Sequence, residues 1–159
     1  MPSAVRRPVD PRRDRRPLLP SLCLTVEAER APRTRVLLGE AAHSLLTAIG
    51  APPALAHRAA EAARLGADYV AGRSERPRCR LWIHTDAEGV TVTVTDYTRT
   101  GAAREPAWLA VPPTAPGPEP EPEPEPGDGC SGRTTALHRT TEGHIRLVCR
   151  TPLAVGGAP

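Results

Sequence analysis

The sequence predicts an α+β domain, a two-layer α/β sandwich with its helices on one face of a mixed or antiparallel sheet. Three observations carry this. Two adjoining segments, 33–49 and 52–70, repeat apolar residues every three or four positions, the period of an amphipathic helix. Two later segments, 79–84 and 90–95, alternate with period two, the pattern of strands with one buried face. The resulting order is strand, helix, helix, hairpin, acidic insert, short helix, strand, which lacks the regular βαβ alternation of a doubly wound parallel sheet.

Residues 1–20 read as a basic tail. Six Arg stand there against Asp10 and Asp14, with too little apolar surface to fold. The tail is either solvated or an electrostatic arm for an acidic partner. Its Arg pairs are not followed by the apolar region an export signal needs, because Pro20 breaks Leu18-Leu19 and Glu27 and Glu29 come soon after. No stretch approaches the ~20 apolar residues of a membrane span, so no membrane partner is expected.

The domain is expected over residues 21–152. Cys23 to Val26 reads as a short strand. Arg30, Ala31 and Pro32 turn into a helix whose Val36, Leu37, Ala41, Leu45, Leu46 and Ile49 share a face, and Gly50 stops it. Pro52 and Pro53 open a second helix. Its stripe of Ala56, Ala59, Ala63, Ala67 and Val70 is small enough for close approach to a neighbour, and Gly72 ends it. Cys79, Leu81 and Ile83 then alternate with Arg80, Trp82 and His84. After a turn over Asp86 to Gly89, Val90, Val92 and Val94 alternate with Thr91, Thr93 and Thr95, which read as ordinary exposed strand positions. An insert over 112–131 holds the Glu-Pro alternation from Glu119 to Pro126, predicted to be an extended spacer. Arg133 to Arg139 reads as a short helix. His144 to Thr151 reads as the last strand, with Ile145, Leu147 and Cys149 on one face, and residues 153–159 form a tail.

Composition narrows the function. There is no Phe, all 21 basic residues are Arg, and 20 residues are Pro, a bias that a GC-rich genome produces. The net charge of +3 is small. Trp82 between Arg80 and His84 is a single aromatic, too little for a stacking platform, so no nucleic-acid partner is expected. The four Cys show no C-x-x-C spacing and read as thiols of a reducing, cytoplasmic compartment. Neither a phosphate-binding P-loop nor a nucleophile elbow is present.

From Leu22 to Thr98 the chain resembles the histidine-kinase-like ATPase domain of the GHKL superfamily, most of all the small anti-sigma-factor type of Ser/Thr protein kinase. The likeness rests on element order, on Arg33-Thr34-Arg35-Val36-Leu37-Leu38 and Leu45-Leu46-Thr47-Ala48-Ile49-Gly50, on the Ala-rich second helix, and on the strand ending Val92-Thr93-Val94-Thr95-Asp96. His144 to Cys149 resembles the family's last strand. The resemblance implies a Bergerat-like ATPase fold with ATP and Mg2+ as ligands. In the family a Glu-x-x-x-Asn motif on the second helix supplies the general base and the magnesium ligand. The matching positions here are Arg64 and Asp68. Asp68 keeps a carboxylate oxygen for magnesium, whereas Arg64 cannot lose a proton and cannot be a base, so no catalytic residue is assigned. The family's Asp-x-Gly motif reads adenine. Asp96-Tyr97-Thr98 keeps its Asp and lacks its Gly, and an Asp ending a strand equally makes a turn. Gly127, Gly129 and Gly132 match the glycine-rich phosphate segment and equally read as linker. Asp96, Asp68, Thr98 and Gly132 are therefore the candidate nucleotide-binding residues.

The reading preferred on these residues is a regulatory protein with weakened or lost ATP binding, acting on a protein partner of the sigma-factor or anti-sigma-antagonist type. The alternative is an active ATP-binding Ser/Thr kinase of the anti-sigma type. A third reading is a scaffold whose oppositely charged tail and insert meet. The resemblance also implies a possible homodimer.

Overall fold

The computed structural model describes residues 19–98, 105–112 and 133–153. The elements run β1 (Leu22–Glu29), α1 (Thr34–Ala48), α2 (Pro53–Arg73), β2 (Arg78–Asp86), β3 (Gly89–Thr95), β4 (Leu109–Ala110), β5 (Thr134–Arg139) and β6 (Ile145–Pro152). The strands form one six-stranded sheet in the order β1-β2-β3-β6-β5-β4, with every neighbouring pair antiparallel. Both helices pack on one face. This is the two-layer α+β sandwich that the sequence predicts, with an antiparallel sheet.

The core lies between the layers. Leu81, Ile83, Val90, Val92, Val94, Leu147 and Cys149 point up from the central strands into Leu38, Leu46, Leu55 and the alanines of α2. The Ala stripe works as predicted. Ala56, Ala59, Ala63 and Ala67 are all buried, and Gly66 lets α2 settle so closely on β3 that a Cβ there would stand 2.6 Å from Val94 Cγ2. At the end of α1, Gly50 takes φ +79°. Its N–H donates to Thr47 O at 3.0 Å, and the next N–H, of Ala51, donates to Leu46 O at 3.0 Å. This double bond pattern is the left-handed glycine cap that the sequence predicts. The β2–β3 hairpin closes on Asp86, whose Oδ1 accepts from Glu88 N at 2.8 Å and Gly89 N at 2.9 Å.

Four expectations are corrected. Residues 133–139 form no helix: Thr134–Arg139 is strand β5, paired along its length with β6. A seven-residue helix gains few internal bonds after its nucleation cost, whereas this segment completes a ladder on an otherwise open strand. The inward face of α1 is rotated. Leu38, Gly39, Ala42 and Leu46 are buried, while Val36 and Leu37 stay 44% and 51% exposed. Gly39 lies on this inward face, against the side chain of Arg64 on α2. Thr93 and Thr95 are buried instead of exposed, because Tyr97 and Trp108 lie over that side of the sheet. Leu19, assigned to the tail, is buried in the core, and Pro20 O accepts from Thr85 Oγ1 at 2.6 Å. The 112–131 insert beyond Pro112, the 153–159 tail beyond Leu153 and the tail before Leu19 lie outside the described residues. Among the described residues, no helix is long and apolar enough to cross a membrane.

Candidate functional site

Two places on the fold bear on function: the surroundings of the candidate nucleotide residues, and a cleft on the sheet face away from the helices.

Asp96 follows β3 and turns inward, with its side chain 1% exposed. Its Oδ2 accepts from Ser74 Oγ at 2.7 Å, and its Oδ1 accepts from Ile145 N at 2.9 Å. His144 Nδ1 lies 3.4 Å from Oδ1, an electrostatic contact without hydrogen-bond alignment, and Arg76 Nε lies 3.7 Å from Oδ2. The carboxylate thus ties the end of α2 to the first residue of β6. Each oxygen accepts one hydrogen bond from within the domain, and Asp96 lines neither of the two clefts described below. Thr98, two residues on, is half-buried.

Asp68 sits elsewhere, exposed on α2, where its Oδ2 takes Arg35 Nη1 at 3.2 Å. It borders a cleft of about 380 Å³ between the start of α1, the end of α2 and β2, which Arg30, Arg76 and Arg78 also line. Arg30 is spent on structure: its guanidinium donates to the carbonyls of Ala71 and Ser74, a cation at the C-terminal end of α2. Asp96 is not part of that cleft's lining, although Arg76, which is, lies 3.7 Å from its Oδ2. Arg64 lies against Gly39 at the crossing of the helices. Gly132, Gly127 and Gly129 lie outside the described residues. Among the described residues, no cluster of three His, Cys, Asp or Glu is placed to hold a metal ion.

The second place escaped the sequence reading. On the open sheet face, cross-strand register sets Glu27, Arg80, Thr95, Arg146 and His138 in one row. The neighbouring row holds Thr25, Trp82, Thr93, Val148 and Ala136. Tyr97 and Trp108 lie over these rows. Tyr97 meets Trp108 edge-on at 6.2 Å and His144 edge-on at 4.9 Å. The Arg146 guanidinium stacks on the Trp108 ring at 4.4 Å. Trp82, Tyr97 and Trp108 all line a cleft of about 210 Å³. Burial pushes the pKa of Arg146 down, although Glu105 nearby raises it. Burial, then the charge of Arg146, pushes His138 down. One signal was present in the sequence: the protein has two Trp, and both line this cleft. Trp108 has no periodic pattern around it, so nothing local tied it to Trp82.

The chain matches no protein-family model, no curated protein and no solved structure. Function therefore rests on the geometry above.

Proposed function

We propose that the chain is a small cytoplasmic regulatory protein of GHKL-like design that has weakened or lost ATP binding and acts by contacting another protein. The observation that carries this reading is the Asp96 carboxylate. An adenine amine would have to reach a carboxylate with 1% side-chain exposure whose oxygens already hold Ser74 and Ile145 in place, so the junction between α2 and β6 would have to open to admit it. Arg64, at the position of the family's general base, supports the same conclusion.

A protein-contact role is supported at the other edge of the domain. Val36 and Leu37 are about half exposed at the start of α1, and β1 ends the sheet with one edge unpaired among the described residues. Exposed apolar side chains and an open strand edge are what a protein partner covers. A sigma-factor or anti-sigma-antagonist type of protein is the proposed partner, with a second copy of the chain as the homodimer case.

The test is calorimetric titration of the full chain with magnesium-ATP. No binding is expected up to millimolar nucleotide. Saturable binding that disappears in a folded Asp96→Asn variant would overturn the reading. It would favour the alternative, an active Ser/Thr kinase, for which the arginine-lined cleft beside Asp68 is the supporting observation.

A further inference from the structure

The cleft on the open sheet face has a definite chemistry. It is lined by Trp82, Tyr97 and Trp108 together with Thr25 and Thr93. Three aromatic rings around one small cleft favour a flat, aromatic ligand. The volume of about 210 Å³ decides its size. A cavity of about 150 Å³ admits benzene, whereas drug-sized ligands occupy about 300–1,000 Å³. The cleft therefore suits a molecule of one or two rings and is too small for a nucleoside triphosphate.

Charge decides the rest. Arg80 is neutralised by Glu27, whose Oε1 accepts from Arg80 Nε at 2.9 Å. Arg146 is not satisfied in this way. Its Nε is buried with no hydrogen-bond partner among the described residues, and its nearest carboxylate, Glu105, stands 3.7 Å from Nη1, beyond hydrogen-bond reach. Its Nη groups make no hydrogen bond among the described residues either, so a carboxylate in the cleft would gain charge-assisted bonds to them that a neutral ring would not. Glu105 itself indicates the fit. It is a half-exposed carboxylate of the chain that reaches into the cleft, accepts from Trp108 Nε1 at 3.2 Å and approaches Arg146 without closing on it.

We propose that this cleft binds a small planar aromatic carboxylate, with its rings against the aromatic lining and its carboxylate on Arg146 in place of Glu105. The site is separate from Asp96 and Asp68, and the proposal stands whether or not the protein binds ATP. Two features work together in it. Trp108 stacks on the Arg146 guanidinium, and Glu105 competes with the ligand's acid group.

Because the protein has two Trp, the ¹⁵N-labelled full chain shows two indole N–H resonances, and both report on this cleft. The probes are 2-naphthoate and its uncharged analogue 2-naphthamide. With wild-type protein, naphthoate is expected to shift both resonances saturably, and naphthamide to bind at least ~10-fold more weakly, as one lost charge-assisted bond implies. Glu105→Gln removes the competing carboxylate from an exposed side chain and is expected to tighten naphthoate several-fold. Arg146→Gln is expected to weaken it at least ~10-fold and to abolish the preference for acid over amide. Equal affinity for acid and amide in the wild type overturns the proposal, and this comparison does not depend on any variant folding. Weaker naphthoate binding in Glu105→Gln also overturns it.

Discussion

The carboxylate of Asp96 joins pieces of chain that are remote in sequence: Ser74 beyond the end of α2 and Ile145 at the start of β6. Asp96→Ala leaves the Ile145 N–H without an acceptor in a buried site, so it is expected to destabilise the fold by roughly 2–4 kcal/mol. Asp96→Asn keeps one acceptor for Ile145, and Ser74 can rotate its hydroxyl to accept from the amide, so its cost is about 1 kcal/mol. Urea unfolding of the two variants separates them; equal losses would mean that the carboxylate's charge, and not its acceptors, holds the junction. His138 gives a pH-dependent counterpart. Its folded pKa lies below the ordinary value near 6.5, because burial and then Arg146 disfavour its charged form. A group depressed on folding binds fewer protons in the native state, so its contribution is complete above the unfolded pKa and is lost as pH falls through the folded one. Stability is expected to decline below about pH 6.5, and His138→Gln is expected to flatten that part of the profile, read as unfolding midpoint against pH. Asp86 acts with the same sign in a lower window. Its carboxyl is held below the usual value near 3.8, first by the Glu88 N–H, so its contribution fades only in strong acid.

At the scale of elements, two helical glycines with similar crowding are expected to behave oppositely. A Cβ at Gly66 would stand 2.6 Å from Val94 Cγ2 and 2.7 Å from Val94 Cβ, and Val94 is 0% exposed in the centre of the core. Neither side can yield, so Gly66→Ala is expected to cost about 1–3 kcal/mol despite the gain of about 1 kcal/mol in helix propensity. Pairing it with Val94→Ala opens the space, and a double-mutant cycle should recover part of the loss. At Gly39 the nearest atoms are Arg64 Nε at 2.6 Å and Cγ at 2.7 Å, on a long side chain that can swing aside. Gly39→Ala is therefore expected to be neutral, or stabilising by up to about 1 kcal/mol. Thermal unfolding of both variants decides it, and destabilisation by Gly39→Ala would show that Arg64 is fixed at the helix crossing. The same glycines explain what was legible in the sequence. Period-two alternation placed Cys79, Leu81, Ile83, Val90, Val92 and Val94 correctly, because a strand buried on one face shows its pattern in its own residues. The inward face of α1 was misread because Gly39 and Ala42, which are buried on it, carry little hydrophobic signal. Strand β5 was missed for a related reason. Its exposed burial pattern has no alternation of its own, and its structure comes from pairing with β6, a contact that a local reading does not contain. At the candidate site, Asp96 was legible as a special position, while its partners Ser74 and Ile145 were not, since they lie 22 and 49 residues away.

At the scale of the whole molecule, the two sides of the sheet are held by different means. The helix side is a continuous apolar core. The other side is covered by residues 105–112, which meet the sheet edge through the two-residue strand β4 and one further bond, Val111 N to Leu137 O at 2.8 Å. Beyond that edge, Trp108 is held by the Arg146 stack, the edge of Tyr97 and Glu105. Stability within a domain follows buried apolar contact and protected backbone bonds, so this cover should open before the core does. Both helices belong to the core side, so circular dichroism reports that layer, while indole emission reports the cover. In Trp82→Phe, Trp108 is the sole Trp and the emission isolates it. Its urea transition is expected to fall about 0.5 M or more below the dichroism transition, which at a typical slope of about 2 kcal/mol per M corresponds to about 1 kcal/mol of lower local stability. Coincident transitions would mean that the Trp108–Arg146 stack is as cooperative as the core, and the cleft would then be a rigid part of the fold. Separate transitions would mean that the cleft forms and opens on its own, and a ligand bound there would raise the first transition while leaving the second in place.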